Sequence, residues 1–292
     1  MGSGPFGMEP ALARSGLLTM ARLAIMSAMH EELAALLERL RDNHNRPLEH
    51  RPGSLRAARE APVQRMPMVQ VAGRQFWQTQ WQGHEVVLVL SRIGKVAAAT
   101  TASVLIERFG VDRIIFSGVA GGLADGVGVG DVVVASACLQ HDMDASPLFA
   151  RHQVPLYGLD RFPCDARMSA LLVQAATNML LQAPTHLGQA VATRWGLGRA
   201  RVHQGLVVSG DRFVSSHVES LALRQELPQA LAVEMECAAV AQVCHDFGVR
   251  FAAVRTISDR ADASAAADFN RFLTEVASPY SAAIVTQCMA LM

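Results

Sequence analysis

Short apolar runs alternate with segments of helical periodicity along most of the chain. Apolar runs predict strands at 21–27, 113–117, 131–136, 205–209, 230–233 and 251–257, and a hairpin formed by 75–81 and 85–91. Apolar residues three to four positions apart predict helices at 30–40, 95–109, 165–182, 236–247 and from 268 onward, the last with an irregularity at Pro279. This alternation predicts an α/β fold, a three-layer α/β/α sandwich with a central mixed, mostly parallel sheet.

Two segments fall outside this alternation. Residues 1–19 contain Gly, Ala and Pro but no basic run before an apolar stretch, so we expect a disordered N-terminal extension rather than a secretory signal. Residues at about 41–68 are rich in Arg, His and Pro, which predicts a surface insertion. No second core composition begins after this insertion. We therefore expect residues 20–292 to form a single domain.

The bulk composition narrows the class of protein. The chain has 292 residues, of which 51% are hydrophobic, and its 26 basic residues balance 26 acidic ones. A neutral chain lacks the basic surface typical of nucleic-acid binding, and no apolar run approaches the ~20 residues of a membrane span, so we expect neither partner. Its five cysteines form no CxxC pair and no metal-ligand pattern. This odd number favours free thiols in a reducing compartment, and we expect a cytoplasmic protein without a metal.

Acidic residues follow three of the predicted strands. They are Glu31 and Glu32 after the first strand, Glu234 and Glu236 after 230–233, and Asp259 after 251–257. Ligands of α/β sheets bind outside the carboxyl ends of the strands, so these acids are expected at one site. Each acid also has a local explanation, because acids in a first helical turn complement the helix dipole and an Asp at a strand end caps the next segment.

Two further segments stand at the same predicted edge. The glycine-rich residues 118–122 predict either a tight turn or a close approach of the backbone to a ligand, and they match no phosphate-binding motif. Phe213 follows 205–209, where an aromatic ring either stacks on a base or fills the core. Crowded carboxylates suit a substrate with hydroxyls and a ring nitrogen that must be protonated. A transferring phosphate would favour Arg, Lys or a helix N-terminus free of acids.

Seven motifs, taken together, resemble those of the methylthioadenosine/S-adenosylhomocysteine nucleosidases within the purine nucleoside phosphorylase/hydrolase group. They are AMHEEL (28–33), SRIGKVAAA (91–99), SGVAGGL (117–123), GDVVV (130–134), SGDRFV (209–214), AVEMECAAVA (232–241) and VRTISDRAD (254–262), and the resemblance covers about 21–292. It implies a phosphorylase/hydrolase-like domain that hydrolyses the N-glycosidic bond of 5′-methylthioadenosine and S-adenosylhomocysteine, as in methionine salvage. It implies a homodimer and no metal or organic cofactor.

The resemblance also implies a role for each acid. Glu32 matches the acid that activates the attacking water, and Asp259 matches the acid that protonates N7 of adenine. Glu236 matches the residue that holds the ribose hydroxyls, with Met235 packed beside the sugar. These matches turn three acids that each have a local explanation into one expected catalytic site.

The remaining matched positions would bind or support the substrate. Phe213 matches the residue that stacks on adenine, and the backbone of Val214 matches the one that reads its edge. Arg255 and Ser258 match residues that support the carboxylates. Further matched positions are expected to line the pocket: Met29, Phe76, Val119, Phe269, Ala145 and Leu148.

The chain departs from the family pattern in places that bear on the 5′ group of the substrate. Val119 stands where a small hydroxyl residue is common, and His30 stands where an acid is common. The loop 141–159 begins with the family's His-Asp pattern and then diverges. This loop and Phe76 are expected to form the part of the pocket that takes the alkylthio group, with the loop reaching the neighbouring subunit. The preferred 5′ group is therefore left open.

Three alternative functions stay open. A phosphate-dependent purine nucleoside phosphorylase would need a cation for phosphate, and Arg92 is the nearby candidate, although Glu31 and Glu32 would repel that anion. An aminodeoxyfutalosine hydrolase would use the same site. A catalytically silent nucleoside-binding protein would leave Glu236 and Asp259 without a chemical task.

Overall fold

The computed structural model describes residues 21–45, 66–261 and 269–292. The predicted extension at 1–19 and the centre of the predicted insertion at 46–65 lie outside these ranges. The flanks of the insertion are regular structure rather than loop: helix α1 spans His30–Asn45 and strand β2 begins at Met68. The helix runs past its predicted end at residue 40 because no Gly or Pro interrupts the chain before Pro47.

Ten strands of the described residues form one sheet. They are β1 (Arg22–Ser27), β2 (Met68–Val71), β3 (Arg74–Trp81), β4 (His84–Leu90), β5 (Arg113–Gly122), β6 (Val132–Gln140), β7 (Arg161–Pro163), β8 (Val202–Ser209), β9 (Ala230–Glu234) and β10 (Arg250–Asp259). The order across the sheet is β10-β6-β8-β9-β5-β1-β4-β3-β2, with β7 on β6, and β10 also pairs with β5. Strands β5, β10, β6, β8 and β9 therefore close into a ring, and the other strands extend from β5.

Parallel and antiparallel pairs are both present, as the mixed sheet requires. The parallel pairs are β1–β4, β1–β5, β5–β10, β6–β8 and β8–β9. The antiparallel pairs are β6–β10, β2–β3, β3–β4, β5–β9 and β6–β7. The parallel pairs include most of the paired residues, which confirms the predicted mixed, mostly parallel sheet.

Helices cover both faces of the sheet. After α1 they are α2 (Lys95–Phe109), α3 (Ala166–Leu181), α4 (Ala183–Leu187), α5 (Gln189–Arg194), α6 (His217–Glu226), α7 (Cys237–Phe247), α8 (Phe269–Phe272) and α9 (Ser278–Leu291). Helices α1, α3 and α9 pack on one face through a buried cluster that contains Leu36, Leu172 and Ile284. Helices α2 and α7 pack on the other face through a cluster that contains Leu105 and Val240. These three layers confirm the predicted sandwich.

Strand β5 differs most from the prediction. A turn is predicted at 118–122, but the strand continues through Gly122 because β10 pairs with it on one side and β9 on the other. The glycines serve close packing within the sheet. A Cβ on Gly118 would lie 3.2 Å from Arg255 Nη1, and a Cβ on Gly121 would lie 2.9 Å from Asp259 Oδ1. No larger residue fits at Gly121 without displacing Asp259.

The final helix carries the irregularity predicted near Pro279. Residues Leu273–Ala277 form a π-helical turn between α8 and α9, and Pro279 lies in the first turn of α9. Proline cannot donate an amide hydrogen bond and disrupts the regular helical pattern, so it stands next to the irregular turn rather than within regular α-helix.

Two bulk expectations also have a structural counterpart. All five cysteines are free, as predicted, with the sulfur atoms of Cys138 and Cys164 4.0 Å apart. Among the described helices, none has the length and apolar character needed to cross a membrane.

Candidate active site

A cavity of about 170 Å³ lies where the carboxyl ends of several strands meet the glycine-rich half of β5. Ten of the predicted site residues line it: Met29, Val119, Phe213, Val214, Met235, Glu236, Arg255, Ser258, Asp259 and Phe269. They come from the segments after β1 and β8, from the junction of β9 and α7, from β5 and β10, and from α8. Residues that are far apart in the sequence therefore meet at one cavity near the carboxyl ends of the strands, where ligands of α/β sheets bind.

Glu32 is not one of the residues that line the cavity, although Met29, three residues before it, is. Its carboxyl is fully buried in the first turn of α1, and Oε2 accepts a hydrogen bond from the Met29 amide at 3.3 Å. Oε1 has no protein partner within the described ranges and can accept a further hydrogen bond. Burial raises the pKa of Glu32 to about 7, although the charge of Arg255 opposes this shift. The carboxyl can therefore exchange a proton near neutral pH.

Two buried acids flank Met235 at the junction of β9 and α7. Glu234 accepts hydrogen bonds from the amides of Glu236 at 3.1 Å and Cys237 at 3.0 Å, at the N-terminus of α7. Glu236 Oε1 accepts a hydrogen bond from the Gly94 amide at 2.8 Å. Burial, followed by the negative charge of Glu234, raises the pKa of Glu236 to about 8. Glu236 is therefore easier to protonate than an ordinary glutamate, and its protonated form can donate a hydrogen bond.

Arg255 is fully buried and connects Glu234 to the sheet. Its Nη2 donates to Glu234 Oε2 at 2.9 Å, and Nη1 donates to the carbonyl oxygens of Phe116 and Val254 at 3.0 and 3.1 Å. The guanidinium carbon also lies 4.3 Å from the centroid of the Phe116 ring. These partners compensate the loss of water around a buried cation. Arg255 thus supports a carboxylate, as its motif implies, and that carboxylate is Glu234.

Asp259 ends β10 at the cavity with both carboxylate oxygens engaged. Oδ2 accepts from Ser258 Oγ at 2.8 Å, and Oδ1 accepts from the Ala261 amide at 2.8 Å. Gly121 packs directly against Oδ1. These contacts fix the orientation of the carboxyl group toward the cavity that it lines.

The aromatic side of the cavity is formed by Phe213 and Phe269. Their rings pack edge to face with centroids 6.2 Å apart. Phe213 comes from the loop between β8 and α6 and is 50% exposed, so its ring retains surface for a planar ligand. The adjacent Val214 is buried in the same wall.

Three predicted pocket residues lie elsewhere. Phe76 is fully buried on the α2 side of the sheet, where its ring stacks on Phe109 with centroids 4.6 Å apart. Expecting Phe76 in the pocket was therefore wrong, since the alternation of side chains along β3 turns it into the core. Ala145 and Leu148 lie in the loop between β6 and β7, outside the cavity of this chain, and Leu148 is 84% exposed.

Comparison with known proteins is consistent with this geometry. Residues 22–290 match the model of the phosphorylase superfamily. A 5′-methylthioadenosine/S-adenosylhomocysteine nucleosidase of Shewanella piezotolerans is 35% identical over 203 residues, which cover 70% of this chain and 80% of that relative. The chain belongs to this nucleosidase family. Its resemblance to the family, inferred from seven motifs, is thereby confirmed.

Solved structures similar to this nucleosidase-family chain share its fold over nearly its whole length. The Neisseria meningitidis nucleosidase in complex with methylthio-immucillin-A has a TM-score of 0.73 and 32% identity, covering 94% of this chain and 100% of that chain. The futalosine hydrolase of Helicobacter pylori has a TM-score of 0.72 and 27% identity, covering 94% and 99%. Both architectures match the three-layer sandwich described above.

No role was predicted for Glu234 from the sequence. The residue appeared only as an acid beside Met235, whereas it forms the buried ion pair with Arg255 and accepts hydrogen bonds from amides at the N-terminus of α7. A signal was present in the sequence: a charged arginine inside the apolar run 251–257 needs a buried anion as partner. Ile93 and Arg212 also line the cavity and were not predicted.

Proposed function

We propose that this chain hydrolyses the N-glycosidic bond of 5′-methylthioadenosine and S-adenosylhomocysteine, releasing adenine and the 5-thio-ribose product. The observation that carries the proposal is the cavity that gathers Glu236, Asp259 and Phe213, with the buried Glu32 three residues after the lining residue Met29. Cleavage of this bond builds positive charge on the sugar, and nearby carboxylates stabilise that charge. The name and coverage of the curated relatives support this substrate class.

Each acid takes a separate part of the reaction. Asp259 delivers a proton to N7 of adenine, so the electron pair of the breaking C–N bond leaves with a neutral base. Glu32 accepts a proton from the water whose oxygen bonds to the anomeric carbon. Glu236 binds the ribose hydroxyls. General acid–base help of this kind contributes about 10²–10⁴-fold per group.

The other cavity residues orient the nucleoside. Phe213 stacks on the adenine ring, and the backbone of Val214 reads its edge. Ser258 holds Asp259 in place, and Arg255 holds Glu234 next to Met235, through the contacts given above. The sugar and its 5′ group pack against the remaining lining residues: Met29, Met235, Val119 and Phe269.

The charges around the cavity support water rather than phosphate as the nucleophile. Arg92 donates to the Gly73 carbonyl at 2.5 Å and does not line the cavity. Of the arginines that do line it, Arg255 pairs with Glu234 and Arg212 pairs with Glu219. No arginine among the described lining residues is left unpaired to hold a phosphate dianion.

A cytoplasmic homodimer is the assembly that fits the proposal. Leu148 is 84% exposed and Leu156 is 93% exposed, which leaves apolar side chains of the loop between β6 and β7 in solvent. In a homodimer this loop, with Ala145 and Leu148, would complete the 5′ side of the neighbouring cavity.

The deciding assay uses purified protein without phosphate. Adenine release is measured by chromatography from methylthioadenosine, S-adenosylhomocysteine, 5′-deoxyadenosine and aminodeoxyfutalosine. We expect rapid release from the first two. Preference for aminodeoxyfutalosine would favour the alternative of an aminodeoxyfutalosine hydrolase. Release that depends on phosphate and yields ribose 1-phosphate would overturn the hydrolase proposal, and no release from any substrate would favour a silent binding protein.

A further inference from the structure

Lys95 is the only lysine among the 26 basic residues of the sequence. It begins α2, and its side chain is only 15% exposed, although proteins rarely bury lysine. Lysine presents a compact ammonium with three donors, whereas arginine presents a planar fork. A chain that uses arginine at every other basic position thus places a compact ammonium at one sheltered site.

The contacts of Lys95 join three loops. Its Nζ donates to Asp142 Oδ1 at 2.5 Å and to Gln140 Oε1 at 3.1 Å, at the end of β6. Its backbone amide donates to Asp211 Oδ1 at 2.8 Å, in the loop after β8. The amide of Asp211 in turn donates to Asp142 Oδ2 at 2.9 Å. Lys95, Asp142 and Asp211 therefore form a closed circuit of hydrogen bonds, which we call the Lys95 circuit.

The Lys95 circuit borders the candidate active site on two sides. On one side, the amide of Gly94 donates to Glu236 at 2.8 Å. On the other side, Asp211 is followed directly by residues 212–214, all of which line the cavity. Gly94 provides no side-chain cap for α2, so Asp211 from another loop supplies the anion that the helix N-terminus favours.

Asp142 keeps its charge at neutral pH. Burial alone would raise the pKa of Asp142, but the hydrogen bonds from Lys95 and from the Asp211 amide outweigh burial and hold this pKa below its usual range. The ion pair between Lys95 and Asp142 is partly shielded from water, with side-chain exposures of 15% and 32%. An ion pair that is shielded from water is screened less, so it holds its two side chains together more strongly than a pair in bulk solvent does.

We propose that Lys95 is a positioning residue for nucleoside binding. It acts through Asp142 and Asp211 to hold the loop between β8 and α6, which carries Phe213, against Gly94 at the start of α2. The inference rests on the proposed function. Lys95 is not a catalytic residue, since it is absent from the described lining of the cavity. Removing its ammonium leaves the hydrogen bond from the Lys95 amide to Asp211 in place but takes the cation away from Asp142. Asp142, which accepts the hydrogen bond from the Asp211 amide, then loses the charge that orients it.

Lys95→Met and Lys95→Arg test the proposal, with Arg250→Met as a matched control. Arg250 forms an ion pair with Asp112 at 3.2 Å and does not line the cavity. For Lys95→Met we expect the Kd for adenine, measured by calorimetry, and the KM for methylthioadenosine to rise about tenfold, since a charge-assisted hydrogen bond is lost. We expect kcat to change less than about threefold and Tm to match the control. Lys95→Arg should restore binding only in part.

A double-variant cycle separates positioning from a general loss of structure. If Lys95 acts through Asp142, then Lys95→Met combined with Asp142→Asn weakens adenine binding no more than the stronger single variant does. Additive losses, a wild-type Kd for Lys95→Met, or a fall in kcat at unchanged Kd would each overturn the proposal. Failure of the proposed function has a different signature, because it appears in the wild-type protein, which would then not release adenine from methylthioadenosine in the absence of phosphate.

Discussion

Asp259 and Glu32 each combine a local backbone contact with a candidate chemical role. Asp259 accepts a hydrogen bond from the amide of Ala261, two residues ahead, and Glu32 accepts one from the amide of Met29, three residues back. Capping acids make the same contacts, so each acid alone is weak sequence evidence for a site. Burial separates them from ordinary caps, because capping carboxylates usually face water and these two do not.

Asp259→Asn tests the general acid. The amide keeps the size of the side chain and can still accept the hydrogen bond from the Ala261 amide, with its NH2 group donating to Ser258, but it cannot deliver a proton to N7. We expect turnover of methylthioadenosine to fall about 10²–10⁴-fold with adenine affinity largely unchanged. Single-turnover kinetics with calorimetry measures both quantities. Near-wild-type turnover would remove Asp259 from the mechanism.

Glu32→Gln tests the raised pKa through stability. Between the usual value near 4.5 and about 7, native Glu32 keeps a proton that the unfolded chain has lost, so the free energy of unfolding falls as pH rises. Glutamine does not titrate. We expect the two proteins to differ little below pH 4.5 and the variant to be more stable above pH 7, by on the order of 2–3 kcal/mol. Urea unfolding at pH 4.5 and pH 8 measures this, and a variant less stable than wild type at pH 8 contradicts it.

At the scale of elements, periodicity correctly predicted the helices and strands whose formation depends on residues that are close together in the sequence. Helices α2 and α7 begin and end close to their predicted bounds, and Gly110 and Gly248 end them in left-handed conformation with φ of 64°. The second half of β5 was missed because glycine is depleted in strands and its pairing there is a tertiary effect. In the same strand, the absence of a side chain at Gly121 leaves room for the carboxyl group of Asp259.

Gly121→Ala tests this packing. The added Cβ would lie 2.9 Å from Asp259 Oδ1 and 3.0 Å from the Cβ of Ala261, so Asp259 must move. We expect kcat to fall at least about tenfold, because small displacements of a catalytic group are costly. Gly128→Ala is the control, since its Cβ would meet nothing within 4 Å. Equal activity of both variants would show that Asp259 tolerates the shift.

At the scale of the whole molecule, the closed ring of β5, β10, β6, β8 and β9 was beyond sequence reasoning. Its closure pairs 113–121 with 250–259, and periodicity carries no information on such distant contacts. Ten of the predicted site residues still line one cavity, because the strand-end rule needs only the direction of each strand and not its neighbour. Phe76 was expected in the pocket from the family resemblance alone, and its position in the sequence did not tell which face of β3 its side chain occupies.

The apolar loop between β6 and β7 makes the homodimer testable. Leu148→Asp places a charge where the proposed interface would bury a leucine, so we expect the dimer to weaken and the KM for methylthioadenosine to rise, with light scattering and kinetics as readouts. Leu181→Asp is the control, because Leu181 is 79% exposed at the end of α3, outside that loop. A fully active wild-type monomer would contradict both the dimer and the shared 5′ pocket. A stable dimer that Leu148→Asp leaves unchanged in mass and KM would place the interface elsewhere.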